Sequence, residues 1–132
     1  MNSQGVGADD RQASAIGAVA GQPDVLEDLI PERELMLTYI ALCNFTDQGI
    51  RDIKDTTKRA DAAKEAAKKF GATMTQIYWT HGKYDLIAFI EAPDEVSASA
   101  FALAIGMAGN IRLQTLRAFS GEEMNGIVGK LA

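Results

Sequence analysis

Residues 77–87, with the sequence IYWTHGKYDLI, decide the fold of this chain. The stretch holds the single Trp and the single His of the protein, and Gly82 lies between two runs of strand-forming residues. A glycine flanked by such runs is typical of a β-hairpin turn. We therefore predict strands over residues 73–80 and 84–92, joined by a turn at residues 81–83.

Strands and helices alternate on both sides of this hairpin. Their composition and periodicity predict the following elements: a strand over 35–44, a helical turn over 48–53, a helix over 55–70, a helix over 95–108, a strand over 111–119 and a short helix after residue 120. The order is β-α-β-β-α-β with a terminal helix. That order is typical of a ferredoxin-like α+β sandwich, a four-stranded antiparallel sheet with helices on one face.

Helix ends and helix faces can be assigned from local patterns. Thr46 is the better N-cap for the first helical turn, and Ser120 with Glu123 forms a capping box. The helix over 55–70 carries its apolar residues at gaps of three and four: Ala60, Ala63, Ala67 and Phe70. The Ala-rich helix over 95–108 can lie close to a sheet, with helical spacing at Val96, Ala100, Leu103 and Met107 and with Phe101 and Ile105 alongside.

The third predicted strand indicates an assembly. Residues 86–90, LIAFI, are apolar at every position, and residues 37–43 are nearly so. A sheet whose second face meets water alternates apolar and polar residues instead. We therefore expect a partner subunit stacked sheet to sheet, which makes a homodimer at least and gives a dimeric α+β barrel.

Composition excludes several classes of function. The chain has 132 residues and a net charge of −5, which argues against the basic surface of a nucleic-acid-binding protein. No run approaches the roughly 20 apolar residues of a membrane span. Cys43 lies in a predicted strand and is expected to be a buried packing residue, with a reactive thiol as the alternative. A reducing cytoplasm is the expected location.

Residues 1–34 differ in amino-acid composition from the rest and are predicted to be a flexible extension before a domain over 35–132. Between Pro23 and Pro31, a short amphipathic segment over about 24–30 is expected to pack on its own domain or on a sister subunit. Docking on another protein is the alternative, and a non-native leader is a third, since Met36 lies where a domain can begin. A secretory signal is rejected because Asp9 and Asp10 precede the apolar run, where positive charge is needed.

Several blocks of sequence, in the right order, together resemble the GYD-domain family. The blocks are MLTYIAL at 36–42, FTDQGIR at 45–51, YWTHGKYD at 78–85, EAPD at 91–94 and GNIRLQTLRAF at 109–119. The similarity covers residues 36 to about 128 and implies a small protein of the dimeric α+β barrel type with no settled biochemical role. His81 departs from the family pattern, in which that position is usually apolar or small, so any role for it is particular to this chain.

Four polar side chains are candidates for catalysis: His81, Tyr84, Asp85 and Arg117. His81 near a carboxylate suits acid–base chemistry, although an exposed and idle side chain is the alternative at a turn. In a regular strand Tyr84 and Asp85 point to opposite faces, so Asp85 alternatively accepts backbone N–H groups or pairs with an arginine. A buried guanidinium at Arg117 needs a partner, for which we expect Glu91, Asp85 or an anionic ligand.

Five residues are candidates for binding a ligand: Trp79, Tyr84, Arg117, Thr46 and Gln48. Thr46 and Gln48 begin a helical turn at the end of the first strand, where an anion can be held. One His and one Cys make no visible zinc or redox-metal ligand set, and no dinucleotide fingerprint is present, so we expect neither a metal nor a cofactor.

Three functions remain open. The first is a small-molecule-binding or assembly module, a homodimer with an apolar cavity between sheet and helices and no catalysis of its own. The second is a cofactor-independent enzyme, similar to oxygenases and isomerases of the dimeric α+β barrel type, and fold analogy alone supports it. The third is an adaptor that docks into a larger assembly through residues 23–31.

Overall fold

The computed structural model describes residues 35–131, which are built around a four-stranded sheet. The extension predicted over residues 1–34, with its amphipathic segment, lies outside the described residues. The strands are β1 (Leu37–Phe45), β2 (Thr73–Trp79), β3 (Leu86–Ala92) and β4 (Ile111–Ala118). They lie in the order β2-β3-β1-β4, and every neighbouring pair is antiparallel. This arrangement confirms the predicted ferredoxin-like α+β fold.

Four helices connect or follow the strands: α1 (Asp47–Arg51), α2 (Thr56–Lys68), α3 (Glu95–Met107) and α4 (Gly121–Val128), with a 3₁₀ turn at Ile53–Asp55. The predicted caps are present. The Thr46 hydroxyl accepts from the Gly49 N–H at the start of α1, and Ser120 with Glu123 forms the capping box of α4. These side-chain acceptors satisfy N–H groups that have no partner within the helix.

The strand register separates the sheet into two faces. Tyr39 lies between Ile90 and Arg117, and Cys43 lies between Leu86 and Leu113. Tyr39, Ala41 and Cys43 are buried against the helices, and we call this side the helix face. Because side chains alternate along a strand, the residues between them point the other way. We call that other side the open face, formed by Ile40, Leu42, Ile87, Phe89 and Leu116.

Small side chains let the helices approach the helix face closely. As the periodicity predicts, α2 buries Ala60 and Ala67. In α3 the buried residues are Ala98 and Phe101, and the Phe101 ring lies 5.9 Å from that of Phe70. Close-packed interiors of this kind bring the backbones of helix and sheet together.

Three of the α3 residues that recur at helical spacing do not face the core. Val96, Leu103 and Met107 are 79%, 69% and 86% exposed. The reason is that α3 is apolar around nearly its whole circumference, so spacing alone does not identify the buried side. The large ring of Phe101 and the small side chain of Ala98 decide the orientation.

The hairpin differs from prediction in its length. β2 ends at Trp79 and β3 begins at Leu86, so residues 80–85 form a longer connection than the predicted three-residue turn. The Thr80 N–H donates to the Asp85 carbonyl at 2.8 Å, and the Asp85 N–H donates to the Cys43 carbonyl at 2.8 Å. Asp85 therefore pairs with β1 before β3 begins. Gly82 supplies the positive φ, +110°, that the turn needs.

The start of α1 packs tightly on the turn between α3 and β4. The Thr46 N–H donates to the Asn110 carbonyl at 3.0 Å, and its hydroxyl donates to the Gly109 carbonyl at 2.6 Å. Gly49 lies so close to Asn110 that an added Cβ would overlap the carbonyl oxygen of that residue. The contact holds α1 against the end of β4.

We expect Gly49→Ala to lower the free energy of unfolding by about 1–3 kcal/mol, because α1 must shift away from the Asn110 carbonyl. Urea unfolding followed by circular dichroism measures the change. Gly126→Ala is the matched control, because an added Cβ at Gly126 in α4 meets nothing within 4 Å. The control should be neutral or stabilising by up to about 1 kcal/mol. Equal midpoints for the two variants would contradict the close approach.

Candidate functional site

The predicted site residues fall at two opposite ends of the sheet. Asp85 contacts Phe45 at the end of β1, whereas Arg117 aligns with Tyr39 near its beginning. At about 3.3 Å per residue, these positions on β1 lie roughly 20 Å apart. The four catalytic candidates therefore do not converge on one centre.

Asp85 joins two strands. Its carboxylate accepts from the Phe45 N–H at 2.9 Å and from the Asn44 amide at 3.4 Å. The Asn44 amide also donates to the Lys83 carbonyl at 2.8 Å. Asp85 thus takes the structural alternative stated above, as an acceptor of backbone N–H groups.

Tyr84 and His81 lie apart from this contact. The Tyr84 hydroxyl donates to the Gln114 side chain at 3.3 Å. His81 is exposed in the connection between β2 and β3. The contacts of the described residues therefore bring His81 to neither Tyr84 nor Asp85, and no acid–base pair is assembled there.

Thr46 and Gln48 are occupied by the fold. The Thr46 hydroxyl has both partners described above, and the Gln48 amide donates to the Ala108 carbonyl at 3.1 Å and to the Asn110 side chain at 3.0 Å. These polar groups hold the turn between α3 and β4. An anion at this place would have to compete with those contacts.

Trp79 links β2 to the start of α2. Its indole N–H donates to the Thr56 hydroxyl at 3.0 Å, and its side chain is 42% exposed. Thr56 in turn lines a cavity beneath α2, so the tryptophan contacts one residue of that lining without belonging to it.

Arg117 is held by α4 rather than by Glu91 or Asp85, which were the expected partners. Its guanidinium lies 3.0 Å from the Glu123 carboxylate and 4.4 Å from the centre of the Phe119 ring. It also donates to the Ala118 carbonyl. The expected partner was wrong because Glu91 lies on the opposite face of the sheet and Asp85 lies at the other end of it.

Glu123 has two roles in this contact. Its carboxylate accepts from the Ser120 N–H and from Arg117, and these hydrogen bonds, the Ser120 one first, lower the pKa of Glu123. Because the charged carboxylate is the stabilised form, the start of α4 is held best above the ordinary glutamate pKa. The contact is lost as the pH falls through the lowered value.

A cavity of about 110 Å³ lies between the helix face and α2. Its wall is mostly apolar and includes Ala41, Cys43, Ala60, Ala63, Ile77 and Leu86. Arg59 also contributes to the lining, but its guanidinium donates to the Asp52 and Gly49 carbonyls at 2.6 and 3.2 Å. Neither His81 nor Arg117 is part of this lining.

Cys43 supplies the only thiol in this cavity lining. The side chain is 5% exposed, and burial raises the pKa of the thiol to about 11. A neutral thiol is a poor nucleophile and a poor metal ligand. The structure therefore agrees with a buried packing residue at this position.

The part of the chain that the structure describes contains neither a cluster of metal ligands nor a membrane-spanning helix. Between residues 35 and 131, no group of three or more His, Cys, Asp or Glu side chains is placed to hold a metal ion. Among the helices of the same residues, none has the length and apolar character needed to cross a membrane.

The comparisons with known proteins agree with this geometry. The sequence model of the GYD domain matches residues 39–128. This chain belongs to the GYD-domain family. The family match runs from the third residue of β1 to the end of α4.

A solved structure shares the fold of this GYD-domain protein. The crystal structure of MtbAldR matches with a TM-score of 0.52 and 13% identity, over 64% of this chain and 54% of that one. Likeness at this identity shows the fold alone, and this chain spans about half the length of that protein. A comparison with curated proteins finds no match.

The sequence pattern of the cavity residues predicted the packing of a helix on the sheet and did not predict a binding site. Ala60 and Ala63 belong to the apolar stripe of α2, where small residues indicate close approach to a sheet. Whether such an approach leaves a void depends on the residues opposite, here Ala41 and Leu86. That information lies in the strand register and not in the periodicity of one helix.

We expect Cys43 to react slowly with iodoacetamide in the folded protein. A thiol pKa of about 11 in place of 9.0 lowers the thiolate fraction at pH 8 by roughly 100-fold. Mass spectrometry of timed samples measures the labelling rate, with the protein unfolded in urea as the control.

The pH dependence of the labelling rate distinguishes a raised pKa of Cys43 from steric shielding of its thiol. The folded rate should rise about tenfold per pH unit from pH 8 to 10, whereas the unfolded rate should level off above its ordinary pKa. A folded rate that already levels off near pH 9 would contradict the raised pKa of Cys43.

Proposed function

We propose that this GYD-domain protein is a homodimeric binding module that holds a small apolar molecule in each subunit. The observation that carries the proposal is the sheet with apolar residues on both faces. Its helix face and α2 line a mostly apolar cavity, and its open face carries a second apolar surface. A cytoplasmic location is part of the proposal, since a lone buried thiol suits a reducing compartment.

The open face is a continuous patch. Ile40 aligns with Phe89 on one side and with Leu116 on the other, and Leu42 aligns with Ile87. Side chains directly opposite each other in neighbouring strands are in contact distance, so the patch extends across β3, β1 and β4. Contiguous apolar surfaces of this kind usually mark an interaction site.

A second copy of the chain is the occupant that this surface favours. Two sheets of this kind can stack face to face about 10 Å apart, and most soluble oligomers use the same patch on both subunits. The described residues leave further apolar surface uncovered nearby in the chain, at Phe119, Met124, Ile127 and Val128, which are 40–52% exposed. A stacked dimer covers the open face without requiring a different protein.

We expect Phe89→Asp to convert the dimer to a monomer, because it places a charge at the centre of the open face without a partner. Native mass spectrometry at micromolar concentration measures the state, and circular dichroism checks that the variant folds. Val96→Asp is the matched control, since Val96 is an exposed apolar residue of α3, and it should remain dimeric. A wild-type monomer, or a dimer that tolerates Asp at position 89, would contradict the proposed interface.

The cavity beneath α2 is the proposed binding site. Apolar cavities stay dry and take up apolar molecules, and one of about 150 Å³ in another protein binds benzene or xenon. A volume of about 110 Å³ suits a guest of that size. Burial of apolar surface drives such binding, and the lining supplies no ionised group inside the void that would be left unpaired.

We expect Ala63→Leu to abolish binding of xenon or benzene, because the larger side chain fills the cavity. The measurement is the ligand-induced rise in Tm, supported by changes in the NMR signals of the cavity methyl groups. Ala62→Leu makes the same change at an exposed position of the same helix and should bind like the wild type. No shift for the wild type, or an equal shift for both variants, would contradict the site.

The enzyme alternative receives less support. It requires His81 or Arg117 beside an enclosed cavity, and neither lines the cavity under α2. The adaptor alternative depends on residues 23–31, which lie outside the described part of the chain, and it stays a prediction.

A further inference from the structure

The cavity beneath α2 is apolar over most of its wall but has a polar end. Thr56 and Arg59 belong to the first turn of α2, Asn110 directly precedes β4, and all three residues line the cavity. Gly49 brings two of them together, because its carbonyl accepts from Arg59 at 3.2 Å and its Cα packs closely on Asn110. The apolar part of the lining continues from there along α2, past Ala63.

Arg59 brings to this end a positive charge that no described carboxylate offsets. The residue is half-buried, and its guanidinium donates to two backbone carbonyls, those of Asp52 and Gly49. Neither ion pair between described side chains includes Arg59. A carbonyl is neutral and a guanidinium has five N–H donors, so the charge and further donors remain available. A half-buried charge of this kind favours an anion beside it.

Thr56 and Asn110 add donors at the same end. The Thr56 hydroxyl accepts from the Trp79 indole at 3.0 Å and donates to no described residue. The Asn110 side chain accepts from Gln48 through its oxygen, and its own amide N–H groups have no acceptor within residues 35–131. The described lining contains no aspartate or glutamate that would repel an anion. An acceptor group with negative charge therefore suits this end of the cavity.

A carboxylate on a short apolar tail combines the two requirements of the cavity. A guanidinium pairs with a carboxylate through parallel, charge-assisted hydrogen bonds. A cavity of about 150 Å³ in another protein accepts the six carbons of benzene. The volume beneath α2 is about 110 Å³, so a tail of about four or five carbons fits it.

We propose that the cavity beneath α2 binds a short-chain carboxylate, whose tail fills the apolar part and whose carboxylate contacts Arg59, Thr56 and Asn110. This inference rests on the apolar cavity of the proposed function and deepens it, because it names the class of molecule that the cavity takes. Binding makes and breaks no covalent bond.

The first test compares three molecules of equal chain length on the full-length, ¹⁵N-labelled protein by NMR titration at pH 7. Pentanoate is an anion, pentanamide is neutral and pentylamine is a cation. Pentanoate should bind at least about tenfold more tightly than pentanamide, because only the anion pairs with the guanidinium charge. It should shift the amide signals of Thr56, Arg59 and Asn110. Pentylamine should bind more weakly than pentanamide.

Arg59→Gln tests the role of the charge. The affinity for pentanoate should fall roughly tenfold, and the affinities for pentanamide and benzene should stay unchanged. Benzene binding by the variant reports that the cavity is intact, and the comparison on the wild type decides the question without any variant. Lys58→Gln is the matched control, because it removes the same charge at an exposed neighbour outside the lining, and it should bind like the wild type.

The other outcomes separate this inference from the proposed function. Benzene binding together with equal affinities for pentanoate and pentanamide would reject the carboxylate and leave the apolar cavity standing. Binding of neither benzene nor pentanoate would reject both. Ala63→Leu should abolish pentanoate binding, and pentanoate that still binds this variant would lie on the surface, which overturns the site. Equal losses in Arg59→Gln and Lys58→Gln would show a general charge effect and would also overturn it.

Discussion

Helices α2 and α3 cover one face of a sheet whose central strands are apolar on both faces. Tyr39, Ala41 and Cys43 are removed from water by α2 and α3. Ile40 and Leu42, which alternate with them on β1, lie on the open face. Apolar surface contributes about 25 cal/mol per Å² only when it is removed from water. The described residues therefore leave part of the stabilisation encoded in β1 and β3 unused, and this imbalance underlies the proposed dimer.

The helix face differs from the open face, because it is built mainly from small side chains. Alanines from both helices and from β1 and β3 make up much of the buried cluster, together with a single buried phenylalanine, Phe101. Small residues allow close approach but do not fill every space left between curved surfaces. The cavity under α2 is one result of that packing. The burial of Tyr39 adds to the same face a polar atom for which the described residues supply no hydrogen-bond partner.

Local sequence signals identified the elements, whereas the site depends on contacts between them. Thr46 and Ser120 cap helices through neighbours in the chain, so sequence alone was enough to place them. The orientation of α3 was not accessible, because its apolar residues surround the helix. The partner of Arg117 was missed for a related reason: Glu123 belongs to a helix whose position follows from the end of β4. The unpartnered hydroxyl of Tyr39 has no sequence signal.

The position of β1 at the centre of the sheet has a consequence for synthesis of the chain. β1 is the first strand of the sheet to leave the ribosome, but one of its two neighbours, β4, is the last. Until residues 111–118 emerge, one edge of β1 has unpaired backbone groups next to apolar side chains on both faces. Contacts this distant along the chain form late, and exposed edges invite pairing with other chains. A nascent chain that stops before β4 therefore exposes an apolar strand edge on which another chain can pair.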